Sequence, residues 1–148
     1  MIFTDAEHVR QMVRDGRVTL LPVEVSVGFG RYIESLPLLL PLGASVDWSR
    51  MPAHKSVDWF EKTDQELIEW ARTVRIGRFN HVVVWYNEKE PCLLTEFDYG
   101  VANMDVFTWG APGPRYLFGA ETRQGEEYSY SFEAFMEFTG GKLVYGVV

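Results

Sequence analysis

The chain has 148 residues, 47% apolar, 24% charged and 15% aromatic, with a formal net charge of -7. That composition excludes wholesale disorder, and the length suits one domain (1–148) that buries roughly two-thirds of the surface its unfolded form exposes. A lone cysteine, Cys92, excludes an internal disulfide and any cysteine-based zinc site, so a reducing, cytoplasmic setting is expected.

Residues Met1–Glu7 contain no basic stretch leading into an apolar run, so no secretory signal is expected. Thr4 and Glu7 have capping-box spacing, and Ala6, Val9, Met12 and Val13 share a stripe that Gly16 closes, which predicts a short helix. Val18–Val27 alternates in period two and predicts a strand, with Pro22 marking an edge or a bulge. From Gly28 to Lys62 no period is clear, and unstructured connections of that length are often functional or mobile. The apolar run Leu36–Leu42, interrupted by Pro37 and Pro41, is about a third of the length a bilayer requires, so no membrane span is expected. Ser45-Val46-Asp47-Trp48 recurs as Ser56-Val57-Asp58-Trp59. The echo is too short for a repeat architecture; it predicts two helical turns opened by Ser45 and Ser56, each burying a tryptophan.

Thr63 and Glu66 form a second capping box before the strongest helical pattern, with Leu67, Ile68, Ala71 and Val74 on one face and Gly77 as its stop. Beyond Gly77 the period becomes two. His81–Tyr86 is nearly continuous apolar sequence and predicts a central strand covered on both faces. After the polar turn Asn87–Pro91, Cys92–Tyr99 predicts the returning strand. Met104–Trp109 and Arg115–Ala120 predict a further hairpin around Gly110–Pro114, and Gln124-Gly125 the next reversal. Tyr128–Phe138 reads as strand to about Ser131 and helix thereafter, and Lys142–Val148 as a last strand. The fold class expected is α+β, a mainly antiparallel meander of four to five strands packed with two to three helices.

No cofactor or catalytic motif emerges. Gly28-Phe29-Gly30 lacks the further glycine and the lysine of a phosphate loop. His8, His54 and His81 fall on separate elements, none at the spacing that brings two imidazoles to one metal. His81 with Glu96 and Asp98 makes a conceivable metal set, but a lone strand histidine is more often a hydrogen-bonded structural residue. Cys92 with His81 would need an electropositive setting, which Glu88 and Glu90 deny it. Glu96, Asp98 and Asp105 could pair as acid and base only if space brings them together.

Charge along the chain is uneven. Met1–Asn87 carries 11 acidic residues against 10 Lys or Arg, and Glu88–Val148 carries 10 against 4. Such a field repels nucleic-acid backbones and attracts cationic surfaces. It predicts an acidic protein-binding or inhibitory protein with a basic protein partner, as an immunity protein neutralising a cognate bacterial toxin would be. The binding face would comprise Glu88, Glu90, Glu96, Asp98, Asp105, Glu121, Glu126 and Glu127, with Trp109 and Tyr116 as anchors. The alternative is a small-molecule binding module or small enzyme whose aromatic pocket is lined by Trp48, Trp59 and Trp85.

Overall fold

A computed structural model describes residues 3–39, 45–109, 114–122, 128–139 and 143–148. Its strands are β1 (Val18–Leu20), β2 (His54–Asp58), β3 (His81–Trp85), β4 (Leu93–Glu96), β5 (Arg115–Glu121), β6 (Ser129–Thr139) and β7 (Leu143–Val147). The helices are α1 (Glu7–Arg14), α2 (Val23–Glu34), α3 (Asp64–Ala71), α4 (Phe97–Ala102) and α5 (Met104–Phe107). The strands make one open antiparallel sheet in the order β1-β4-β3-β5-β6-β7-β2. The α+β class is as predicted, with seven strands in place of four or five. No described helix is long and apolar enough to cross a membrane.

The sheet is covered on both faces, and β3 shows why. Successive strand residues point to opposite sides, so an all-apolar run is tolerated only where both sides are dry. Val82 and Val84 pack with Leu117 and Met136 against α1, α3, α4 and α5 through Val9, Leu67, Phe97 and Met104. Val83 and Trp85 pack with Phe118 and Phe135 against α2 through Phe29 and Ile33. All three valines are 0% exposed.

Several predicted elements change type. Val18–Val27 is not one strand, because β1 stops at Leu20 and α2 starts at Val23. The residues that α2 buries, Ser26, Phe29, Gly30 and Ile33, recur at helical spacing, and this overrides the β-branched run Val23, Val25 and Val27. Pro22 stands just before the first turn, where a missing N–H costs nothing. At Gly30 a Cβ would fall 2.3 Å from Glu88 Cγ, so a side chain there would require Glu88 to move. Cys92–Tyr99 likewise divides, with β4 ending at Glu96 and α4 beginning at Phe97. The predicted strand Met104–Trp109 is instead α5 and the turn after it. Phe97, Val101, Met104 and Phe107 are the buried stripe of these two helices.

β6 is strand throughout, with no helix after Ser131. Its register against β5 jumps, since Phe118 pairs with Phe135 but Gly119 pairs with Ser131. The extra residues in β6 bulge out and break the alternation by which a strand is recognised. Thr4 does not cap α1. It is buried, and its N–H donates to Glu90 Oε1 at 3.0 Å. Gly16 closes α1 in the left-handed region, φ +74°. The Thr63–Glu66 capping box forms in full, although α3 ends at Ala71, ahead of Gly77. The predicted turn at Gly110–Pro114 falls almost wholly outside the described residues, and that at Gln124-Gly125 entirely so.

Candidate partner-binding surface and the His81 cleft

The sequence echo produces two copies of one local structure. Asp47 caps a 3-10 turn, Trp48–Arg50, by accepting from Ser49 N at 3.2 Å, and Asp58 caps another, Trp59–Glu61, by accepting from Phe60 N at 3.2 Å. Each turn buries its tryptophan, as expected, but the caps are the aspartates, whereas Ser56 lies within β2. The two indoles enter opposite sides of the sheet. Trp48 stacks on Tyr145 (5.4 Å, 14°), and Trp59 meets Phe138 edge-on (5.1 Å, 70°).

The first copy closes over an internal carboxylate. Glu137, 1% exposed, accepts from Tyr116 Oη (2.6 Å), Trp48 Nε1 (3.0 Å), Val46 N (3.0 Å) and Ser45 Oγ (3.2 Å). None of these donors is a cation, so hydrogen bonds from neutral groups offset the cost of burying this side chain. Burial and the neighbouring Glu137 charge push the Tyr116 hydroxyl well above its ordinary pKa, which keeps it protonated as a donor.

Tyr116 is therefore interior, and it corrects the expectation of a surface anchor. Glu90 is also buried, accepting from Thr4 N and from Asn87 Nδ2 (2.6 Å). Glu88 is half-buried near Gly30. Glu96 and Asp98 are exposed, Asp98 pairing with Arg72 at 3.1 Å, and half-buried Glu121 accepts from Asn80 N at 3.3 Å. Asp105 is half-buried on α5, and Trp109 is 58% exposed beside His8, with ring centroids 5.4 Å apart. Glu126 and Glu127 lie outside the described residues. Antiparallel connections send Glu88 and Glu90 past one end of β3 and place Glu96 and Glu121 at its other end. Charge counted along the chain carries no such information.

The tryptophans proposed as a pocket lining do not share one. Trp48 and Trp85 belong to the core under α2 and Trp59 to the core on the opposite face; Trp85 Nε1 is tied to Ser26 O at 2.9 Å. Cys92 is buried, which pushes its thiol up from the ordinary value. Among the described residues no group of three or more His, Cys, Asp or Glu is placed to hold a metal.

Two surface features remain. At the start of β3, His81 and Glu96 face each other across the ladder and line two adjoining clefts of about 160 and 300 Å³. His81 Nδ1 lies 2.9 Å from Asn80 Oδ1. The Asn80 amide is itself fixed, accepting from Thr122 N (3.1 Å) and donating to Thr122 O (3.0 Å), so its oxygen faces the ring, and the Thr122 hydroxyl lies 3.1 Å from Nδ1 and 3.4 Å from Nε2.

The second feature surrounds Phe60. Its ring is 68% exposed, which forgoes about 1.5–3 kcal/mol of possible burial. Around it in sequence stand Asp58, Glu61, Asp64, Glu66 and Glu69, with Lys62 the intervening cation. Asp58 is half-buried and the others are exposed, and none of the five joins an ion pair among the described residues. Leu143, opposite Asp58 on β7, is exposed as well. Thr63 hydrogen bonds hold the Glu66 carboxyl below its ordinary range. No protein-family model matches this chain, and no curated protein matches it in sequence.

Proposed function

We propose that this is an acidic binding protein that captures and blocks a basic protein partner, the role an immunity protein plays against a cognate toxin, and that the Phe60 corner makes the contact. The observation that carries this reading is a phenylalanine left 68% exposed in a stretch of sequence that holds five carboxylates, none of them in an ion pair among the described residues. Asp58 and Glu66 serve as caps, but the exposed ring forgoes burial and the gathered like charges repel. Against a cationic partner both terms change sign. The carboxylates speed encounter and the ring slows release once desolvated. The exposed carboxylate Glu96, several strands away, would extend the attractive field without touching the anchor.

The test is kinetic. A basic partner is captured from the source cell at low salt, purified and measured against the wild-type protein. Glu61→Lys with Asp64→Lys should slow association by about tenfold and flatten its salt dependence. Phe60→Ala should leave association nearly unchanged and speed dissociation. A partner whose rates ignore both variants contradicts the reading, as does a source in which no basic protein is captured.

A further inference from the structure

We propose that the smaller His81 cleft is a binding site for a small free amino acid, its carboxylate on Arg17 and its ammonium on Glu96. The site is independent of the Phe60 corner.

Arg17 is held at both ends. Its carbonyl accepts from Thr95 Oγ1 at 2.8 Å, and its guanidinium lies over the Tyr99 ring, 4.3 Å from the centroid. It arrives there because Gly16 turns the chain out of α1 directly into β1. Glu96 stands on the same cleft at the end of β4. These opposite charges line one small space and do not close into an ion pair with each other or with any other described residue. The second arginine nearby behaves differently: Arg72 is committed to Gly77 O, Phe79 O and Asp98, and stacks on Phe97.

A cation and an anion held apart across a cavity select a ligand that carries both signs. A simple anion would be drawn to Arg17 and repelled by Glu96, and a simple cation the reverse. A zwitterion satisfies both through charge-assisted hydrogen bonds. His81 also lines the cleft, its ring held beside the Asn80 and Thr122 side chains. The cleft is small, about 160 Å³, with room for glycine, alanine or serine.

Isothermal titration of the full chain with glycine, L-alanine and L-serine tests this, with N-acetylglycine and glycinamide as probes lacking the ammonium or the carboxylate. At least one of the three amino acids should bind saturably, and both glycine derivatives should bind at least about tenfold more weakly than that amino acid. Glu96→Gln and Arg17→Met, both on exposed side chains, should each weaken amino-acid binding to a similar degree, and Arg17→Met should narrow the gap between glycine and glycinamide. Circular dichroism checks that each variant folds; if Arg17→Met does not, Glu96→Gln decides alone. Absence of binding by all three amino acids overturns the proposal. So does equal binding of the neutralised derivatives, or amino-acid binding that Glu96→Gln leaves unchanged.

Discussion

Ser45-Val46-Asp47-Trp48 and Ser56-Val57-Asp58-Trp59 share four residues, an aspartate cap and a buried tryptophan, yet they use charge in opposite ways. In the first copy the carboxylate is inside: Glu137 reaches from β6 and gathers Ser45, Val46 and Trp48 onto the sheet. In the second the carboxylates are outside, and the residue after the tryptophan is an exposed Phe60 where the first copy has Ser49. Local sequence sets the turn, and the neighbouring strand decides whether the segment becomes a tethered part of the core or a projecting surface.

The largest expected effect comes from breaking the first copy. Glu137→Leu leaves buried donors on Tyr116, Trp48 and Val46, and the half-buried Ser45 hydroxyl, without their acceptor, and should destabilise by about 3–5 kcal/mol, read from the denaturant midpoint. An unchanged midpoint would mean that the first copy is held by packing alone. Smaller effects should come from the caps. Asp47→Ala and Asp58→Ala should each cost about 1 kcal/mol, and near-equal losses would establish that the two turns are equivalent before their surroundings diverge. Thr63→Ala, which removes the side-chain half of the capping box, should cost a similar amount, about 1 kcal/mol.

That box also has a pH signature. The Glu66 carboxyl sits below its ordinary value when folded, so its contribution is present above the unfolded pKa and is lost as pH falls through the folded one. Acid titration of Thr63→Ala followed by circular dichroism should show a shallower loss of stability in that range than the wild type. The smallest effect on folding belongs to the corner: Phe60→Ala and Glu61→Lys should move stability by less than about 0.5 kcal/mol, because surface changes away from packing and caps do little. A large loss would make Phe60 a packing residue and remove the contrast between the copies.

Elements with one dominant period were legible in the sequence. β3 reads as a doubly covered strand from His81–Tyr86, and the α3 capping box reads from Thr63 and Glu66. Where two signals competed, the weaker physical term misled. Val23, Val25 and Val27 suggested a strand through β-branching, while Ser26, Phe29, Gly30 and Ile33 carried the helical burial that prevailed. Phe97, Val101, Met104 and Phe107 already had helical spacing, masked by aromatic residues that favour strands. β2 was hidden because three of its five residues, His54, Lys55 and Ser56, are polar and exposed, as suits a sheet edge. The candidate surface was missed for another reason. Counting charge by halves of the chain averaged Asp58–Glu69 with the basic residues on either side of it, and credited the C-terminal part with Glu90 and Glu137, which are buried.

The most direct measurement compares three forms of the protein against one purified basic partner: the wild type, a corner variant carrying Phe60→Ala, Glu61→Lys and Asp64→Lys, and a cleft variant carrying Glu96→Gln. The corner variant should lose binding while the cleft variant retains nearly all of it. Full binding by the corner variant, with loss confined to the cleft variant, would contradict the proposed role of the Phe60 corner.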